Sequence, residues 1–212
     1  MATANRPMAP ELGVRLLGKA HGKLVHGRRV DVLAKHLAAM LDPGCKLLDV
    51  GCGDGKLADA ICQSVPGIEV HGVEIQPRKD CAISCTAFDG NHIPYADKSF
   101  DCCMFVDVLH HTTDPLVVLR DACRVSRKFI LIKDHIAETR FDHWTLRLMD
   151  WIGNRPHGVV LPYAYLSSSD WQALYTNLGL YSVSTERKLP LYPQPFSALF
   201  GRKLHFISLL EK

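Results

Sequence analysis

No run in this 212-residue chain approaches the ~20 continuous apolar residues that a bilayer-spanning helix needs, which argues against membrane insertion. The opening stretch MATANRPMAP lacks the apolar core of a secretory leader, so the expected location is cytoplasmic. Charge of one sign is also scarce. A formal net charge of +3 is too small for a face that tracks phosphates, so no nucleic-acid partner is expected. The basic residues near the start, Lys19, Lys23, Arg28 and Arg29, read as a solvated helix face. Cysteine is not lacking, with eight residues, but CxxC pairs are. Cys45, Cys62, Cys102, Cys103 and Cys123 sit inside apolar runs, as reduced packing thiols do. Cys81 and Cys85 are one helical turn apart, yet no second His or Cys pair accompanies them at zinc-site spacing, so no metal is expected. Internal repeats and low-complexity segments are absent as well.

What is present is a globular composition, 47% apolar and 22% charged, at a length suited to a single domain. Apolar residues from Val30 to Leu41 recur at helical spacing and stop at Asp42, Pro43 and Gly44. KLLDVG and IEVHGVEI are short strand-like runs separated by a helical pattern from Lys56 to Ser64, which makes a βαβ unit and predicts a parallel sheet. FDCCMFVDV reads as a strand buried on both faces, with Cys102 and Cys103 pointing to opposite sides. Asp114 and Pro115 form an N-cap and N1 pair for the next helix, and KFILIKDH is the strand after it.

Beyond Ile136 the rhythm breaks. A helix is expected over Phe141 to Ile152, stopped by GNRPHG and followed by VVLPYAYL. Ser168 or Ser169 should cap a further helix that Gly179 ends. LYSVSTERK and LHFISLLEK close the chain as strands, and the proline-rich LPLYPQPFSALFG between them reads as a loop.

The stretch LLDVGCGDGKLADAI sets Gly51, Gly53 and Gly55 between a strand and a helix. There, backbone without side chains admits a ligand to the unpaired N–H groups of a helix start. A dinucleotide fingerprint needs Gly or Ala at the sixth position of GxGxxG, and that position is Lys56. The pattern is instead D-x-G-x-G-x-G from Asp49, and Glu74 ends the second strand about twenty residues on, where an acid can accept from both ribose hydroxyls of a nucleoside.

At these residues the chain resembles the class I S-adenosylmethionine-dependent methyltransferases, in particular the small-molecule branch akin to the ubiquinone and menaquinone biosynthesis enzymes. LLDVGCGDG, GVEI, FDGNHIPYADKSFDCCMFVDVLHH and DPLVVLRDACRV carry the resemblance across Leu47 to His135. It implies an α/β, Rossmann-like, doubly wound sheet of seven strands with the last antiparallel; the helical insertion after the fifth strand, read from the residues beyond Ile136, lies outside the resemblance. It also implies S-adenosylmethionine as cofactor, leaving as S-adenosylhomocysteine. Asp49, Gly51, Cys52, Gly53 and Gly55 would surround its methionine part, Glu74 the ribose, Ile75, Asp89 and Gly90 the adenine, and Asp107 and Val108 the donor methyl. In this frame the 1–212 domain divides into an N-terminal helical region (1–45), a cofactor-binding core (46–135), a lid or acceptor-binding insertion (136–166) and closing helix and strands (167–212).

Methyl transfer from a sulfonium is an in-line displacement that positioning can accelerate, and a base is needed only if the acceptor must lose a proton. His110, His111, Asp134 and His135 stand at strand ends, with His135 the preferred base beside the insertion. The insertion mixes aromatic and polar residues, so Trp144, Asn154, His157 and Tyr163 are the expected acceptor contacts. DVLHH replaces the Asn-Pro-Pro-aromatic motif of amino-methylating nucleic-acid enzymes, so the expected acceptor is a small molecule. Arsenic methylation would need several convergent thiols, for which Cys81 and Cys85 are the candidates. A non-catalytic nucleoside-binding domain and a nicotinamide-dependent reductase are the competing readings, and Lys56 argues against the second. The acceptor's identity and the oligomeric state are left open by the residues.

Overall fold

β1 (Lys46–Val50) is a five-residue strand whose last four residues are buried, as a strand covered on both faces must be. In the computed structural model, which describes residues 27–154, 163–194, 197–201 and 203–212, it sits near the middle of a seven-stranded sheet. The chain enters through α1 (27–38) and continues from β1 into α2 (Lys56–Ser64) and β2 (Glu69–Glu74). Then come β3 (Cys85–Ala87), β4 (Phe100–Val106), α3 (Pro115–Val125), β5 (Ser126–His135) and α4 (Arg140–Asn154). α5 (Ser168–Asn177), β6 (Tyr181–Glu186), α6 (Ser197–Phe200) and β7 (His205–Glu211) complete the order.

The strands lie in the order β3-β2-β1-β4-β5-β7-β6. β1 pairs in parallel with both β2 and β4, so the chain winds outward in opposite directions from this pair and leaves a crevice at their carboxyl ends. β7 is antiparallel to β5 and to β6, and its place between them makes β6, not the last strand, the edge.

Alternating side chains fill two cores. Leu48, Cys103, Phe105, Ile130 and Ile132 face α3 and α5, while Leu47, Cys102, Met104 and Leu131 face α1 and α2. Cys102 and Cys103 thus take opposite faces, as the uninterrupted apolar run predicts.

Several local readings need correction. The cap of α5 is Ser167, one residue earlier than expected, because it forms a capping box with Asp170 and so satisfies two orphan groups. Asp114 does cap α3, accepting from the Leu116 N–H at 2.9 Å. β3 was not legible, since three residues give no periodicity and its edge position leaves two of them exposed. The proline-rich segment holds the four-residue α6. Arg29 does not lie on a solvated face. It turns inward to the sheet, as described below.

Candidate functional site

The carboxyl ends of β1, β2, β4 and β5 carry the residues singled out in the sequence. After β1 the chain turns through Gly51, Gly53 and Gly55, all at positive φ (76°, 59° and 72°). A Cβ at Gly51 would lie 2.6 Å from Cγ2 of Val108, so that glycine is required by the closeness of the β4 loop. A Cβ at Gly53 would meet no atom within 4 Å, so the tip of the loop faces open space. Glu74 at the end of β2 takes the Gly53 N–H at 3.0 Å on one oxygen and the Ile75 N–H at 2.8 Å on the other. Two backbone donors therefore fix the carboxylate at the loop tip.

Asp49 lies beneath, buried in β1, where burial and the nearby Glu74 push its carboxyl up to about 7. On the far side of Glu74, Ile75 is 59% exposed, an unusual position for a large aliphatic side chain. A Cβ at Gly90 would sit 3.2 Å from its Cδ1, so the two residues form one apolar wall. Asp89 accepts from the Asn91 and His92 N–H groups at 2.8 and 2.6 Å through a single oxygen, and these bonds hold its pKa below the usual range. The structure thus brings together Gly51, Cys52, Gly53, Gly55 and Glu74 in one loop assembly, with Ile75 and Gly90 beside it.

At the end of β4, Asp107 adopts φ 57°, a left-handed conformation rare for a side-chain-bearing residue. Its carboxylate is held by Arg29 of α1 and by Lys133 of β5. Burial alone would raise its pKa, but the two cations overcome this and hold it well below the carboxylate range. Lys133 is itself fully buried, and its Nζ lies 3.4 Å from His205 Nδ1. Sequence reasoning missed Arg29, Lys133 and His205. The signal available for Lys133 was a lysine inside an otherwise apolar strand.

Next to this pair lies a histidine cluster. Asp134, fully buried, accepts from the backbone N–H groups of Leu109 (3.1 Å) and His135 (2.8 Å) and from His110 Nδ1 (2.6 Å). The remaining nitrogen of His110 is buried without a hydrogen bond and lies 3.6 Å from Asp150 of α4. Burial disfavours the charged ring, but the Asp134 carboxylate more than offsets it, so the His110 pKa is raised. His135 behaves oppositely: burial, then Lys133 and His110, push it down to about 4. His111 is lowered too, by burial and by His110. Tyr165 covers the cluster, stacked on His110 at 5.7 Å between centroids and donating to Asp150.

Trp144 and Tyr163 line one depression of about 560 Å³ with Arg140, His143, Arg147 and Trp151, and the Arg147 guanidinium lies 4.7 Å over the Tyr163 ring. Asn154 ends α4 with its side chain outside the described residues, and His157 lies outside them altogether. Among the described residues two groups could gather a metal ion, His110 with Asp134 and His135, and Cys52 with Cys81 and Cys85, each with ligand atoms within 4.8 Å of one another. In the first, the Asp134 carboxylate is already engaged by three hydrogen-bond donors.

The parallel sheet wound outward from β1 and β4, with its glycine loop and acid-ended second strand, defines the Rossmann-like fold of class I methyltransferases. An S-adenosylmethionine-dependent methyltransferase from Mesorhizobium loti has this fold, with a TM-score of 0.61 at 15% identity over 84% of this chain and 96% of its own. The chain belongs to the family of the methionine biosynthesis protein MetW, whose family model matches residues 29–189. Among curated relatives, 27-O-demethylrifamycin SV methyltransferase of Amycolatopsis mediterranei is 34% identical over 109 residues, 45% of this chain and 40% of the relative. A ubiquinone biosynthesis O-methyltransferase of Cereibacter sphaeroides is 29% identical over 116 residues, 45% of this chain and 46% of the relative. The chain therefore matches less than half the length of these relatives. No described helix is long and apolar enough to cross a membrane.

Proposed function

We propose that the protein binds S-adenosylmethionine at the carboxyl ends of β1 and β2 and transfers its methyl group to a small-molecule acceptor. The observation that carries this reading is the open space at Gly53, where a loop tip at positive φ is tied to the Glu74 carboxylate. The residues present fit the cofactor: Asp49 and Glu74 offer negative charge to a cationic amino-acid group and to ribose hydroxyls, and Ile75 with Gly90 offers a wall for a flat base. When bound, S-adenosylmethionine supplies a methyl group already activated by its sulfonium.

The chain's own part is positioning and, where the acceptor carries a proton, its removal. Of the four candidate bases, His110 is best placed. Asp134 fixes its Nδ1, which leaves Nε2, without a hydrogen bond and 3.6 Å from the Asp150 carboxylate, to accept, and the Asp134 carboxylate keeps the ring basic. His135, pushed down to about 4, is a weak base and serves to pack and orient Asp134. The depression at Trp144 and Tyr163 is the acceptor entrance, separated from His110 by Tyr165. The reading draws support from the family membership and from the relatives' names.

Calorimetric titration with S-adenosylhomocysteine, run beside NADH and NADPH, tests the binding step. Micromolar affinity for the first alone, about −8 kcal/mol, is expected. Binding only a nicotinamide cofactor overturns the reading. Binding without turnover of labelled donor against any acceptor points to a nucleoside-binding domain instead.

A further inference from the structure

The thiols of Cys52, Cys81 and Cys85 have no part in the chemistry above. Cys52 belongs to the glycine loop, while Cys81 lies in the connection after β2 and Cys85 opens β3 at its end, so two separate stretches deliver them. Their sulfurs lie within 4.8 Å of one another, and those of Cys52 and Cys85 are 3.4 Å apart. A tetrahedral cation with sulfur ligands at about 2.3 Å sets its sulfurs roughly 3.8 Å apart, so the trio is already at ligand spacing.

Two glycines make the room. A Cβ at Gly72 would lie 2.5 Å from the Cys52 sulfur, and one at Gly55 would lie 2.8 Å from that of Cys81. Packing thiols have no need of such clearances. Cys102 and Cys103, buried in the two apolar cores, show the ordinary use of cysteine here. All three thiols of the trio are free and half-buried, which leaves an ion a way in. Burial, with Asp49 acting on Cys52 and Glu74 on Cys85, raises the pKa of both thiols, so the ion must displace their protons, while the same carboxylates add a negative field favourable to a cation.

We propose that Cys52, Cys81 and Cys85 form a three-thiolate site for a soft d10 divalent cation of the zinc type. The ion pins the glycine loop to the β2–β3 connection, reinforcing the Ala82 N–H to Asp54 carbonyl bond of 2.9 Å that already joins them. Gly51 faces Val108 and the end of β4, whereas Cys52 faces Gly72 in β2, so the ion lies on the side of the loop away from the proposed transfer site and serves as a clamp. Binding displaces three thiol protons to solvent, and the fourth coordination position is left to water.

Cd2+ is the probe, titrated into the full chain after reduction with a phosphine and removal of metal. The thiolate-to-cadmium absorbance in the ultraviolet should saturate at one equivalent, be displaced by Zn2+, and raise the unfolding temperature. Cys81→Ser and Cys85→Ser should each weaken binding at least tenfold, while Cys62→Ser, outside the trio, should leave it unchanged. Far-ultraviolet circular dichroism checks folding, and Cys81→Ser, in irregular backbone, keeps the test valid if Cys85→Ser fails to fold. A titration without saturation, or one that both serine variants leave intact, overturns the proposal. The readout does not involve S-adenosylmethionine, so its failure is distinct from failure of the methyltransferase reading.

Discussion

Arg29, on the helix that precedes the sheet, reaches into the site and pairs with Asp107 at the end of the central strand β4. Lys133 from β5 holds the other carboxylate oxygen. One carboxylate thereby joins an entry helix to two strands, and its left-handed backbone is kept in place by the same contacts. Asp107→Asn leaves two cations facing each other with one counter-charge removed. It is expected to destabilise the protein by on the order of 3–5 kcal/mol. Urea unfolding measures this, and Arg29→Met, which leaves the Lys133 pair intact, should cost clearly less. No loss in Arg29→Met would show that the pairing through Asp107 does not hold α1 to the sheet.

The three loop glycines should separate by mechanism. Gly53→Val introduces left-handed strain of roughly 1–2 kcal/mol, but its Cβ meets no atom within 4 Å, so it should fold while losing S-adenosylhomocysteine affinity by about 100-fold or more. Gly51→Ala must displace Val108 and should be the less stable of the two. Thermal unfolding and calorimetry on both variants check the order. A Gly53→Val protein that binds normally would move the ligand elsewhere.

Asp49 carries a proton near neutral pH because burial and Glu74 hold its carboxyl at about 7. A ligand with a positive charge beside these carboxylates favours the ionised form, so binding should release up to about half a proton at pH 7, more at pH 6, and tighten as pH rises from 6 to 8. Calorimetry of S-adenosylhomocysteine in buffers of different ionisation enthalpy reads the proton directly. Asp49→Asn should abolish the buffer dependence.

Asp134→Asn tests the base. It keeps the shape but removes the charge that raises His110 and fixes its Nδ1, so kcat should fall by roughly 10²-fold or more with KM little changed. The lower limb of the pH–rate profile should also shift. If activity and profile are unaltered, the transfer needs no base at His110.

Acid stability follows from the buried neutral histidines. Burial, then Lys133, hold His135 down to about 4 and His205 well below its ordinary value. A group lowered in this way stabilises the fold fully above its unfolded pKa near 6.5 and loses that contribution as pH falls toward the folded value. Asp49, raised in the fold, works the other way, retaining a proton the unfolded chain has released and gaining stability over the same fall. Comparing unfolding free energies at pH 7 and pH 5 in the parent and in His205→Phe isolates one site. The variant should lose about 2 kcal/mol less on acidification. An identical loss would show that His205 titrates normally.

The sequence by itself determined the parallel βαβ core, because strand and helix periodicities are local and a three-glycine turn between them leaves few alternatives. Cys102 and Cys103 were placed on opposite faces by strand alternation alone, and Asp114 announced its helix by a cap that needs only the next two residues. Other features depended on distant residues. β3 exists because β2 offers it an edge, and the place of β7 between β5 and β6, antiparallel to both, joins strands far apart in the chain. Arg29 looked solvated until α1 packed over the end of β4. Lys133, Asp107 and His205 are remote in sequence, and only the crossing of β4, β5 and β7 joins them. The same holds for Cys52 with Cys81 and Cys85, since a sulfur cluster is set by where backbones pass each other and not by spacing along the chain. Tertiary structure decided these relationships because charges and ligands interact through space, over a few ångströms, whatever their separation in sequence.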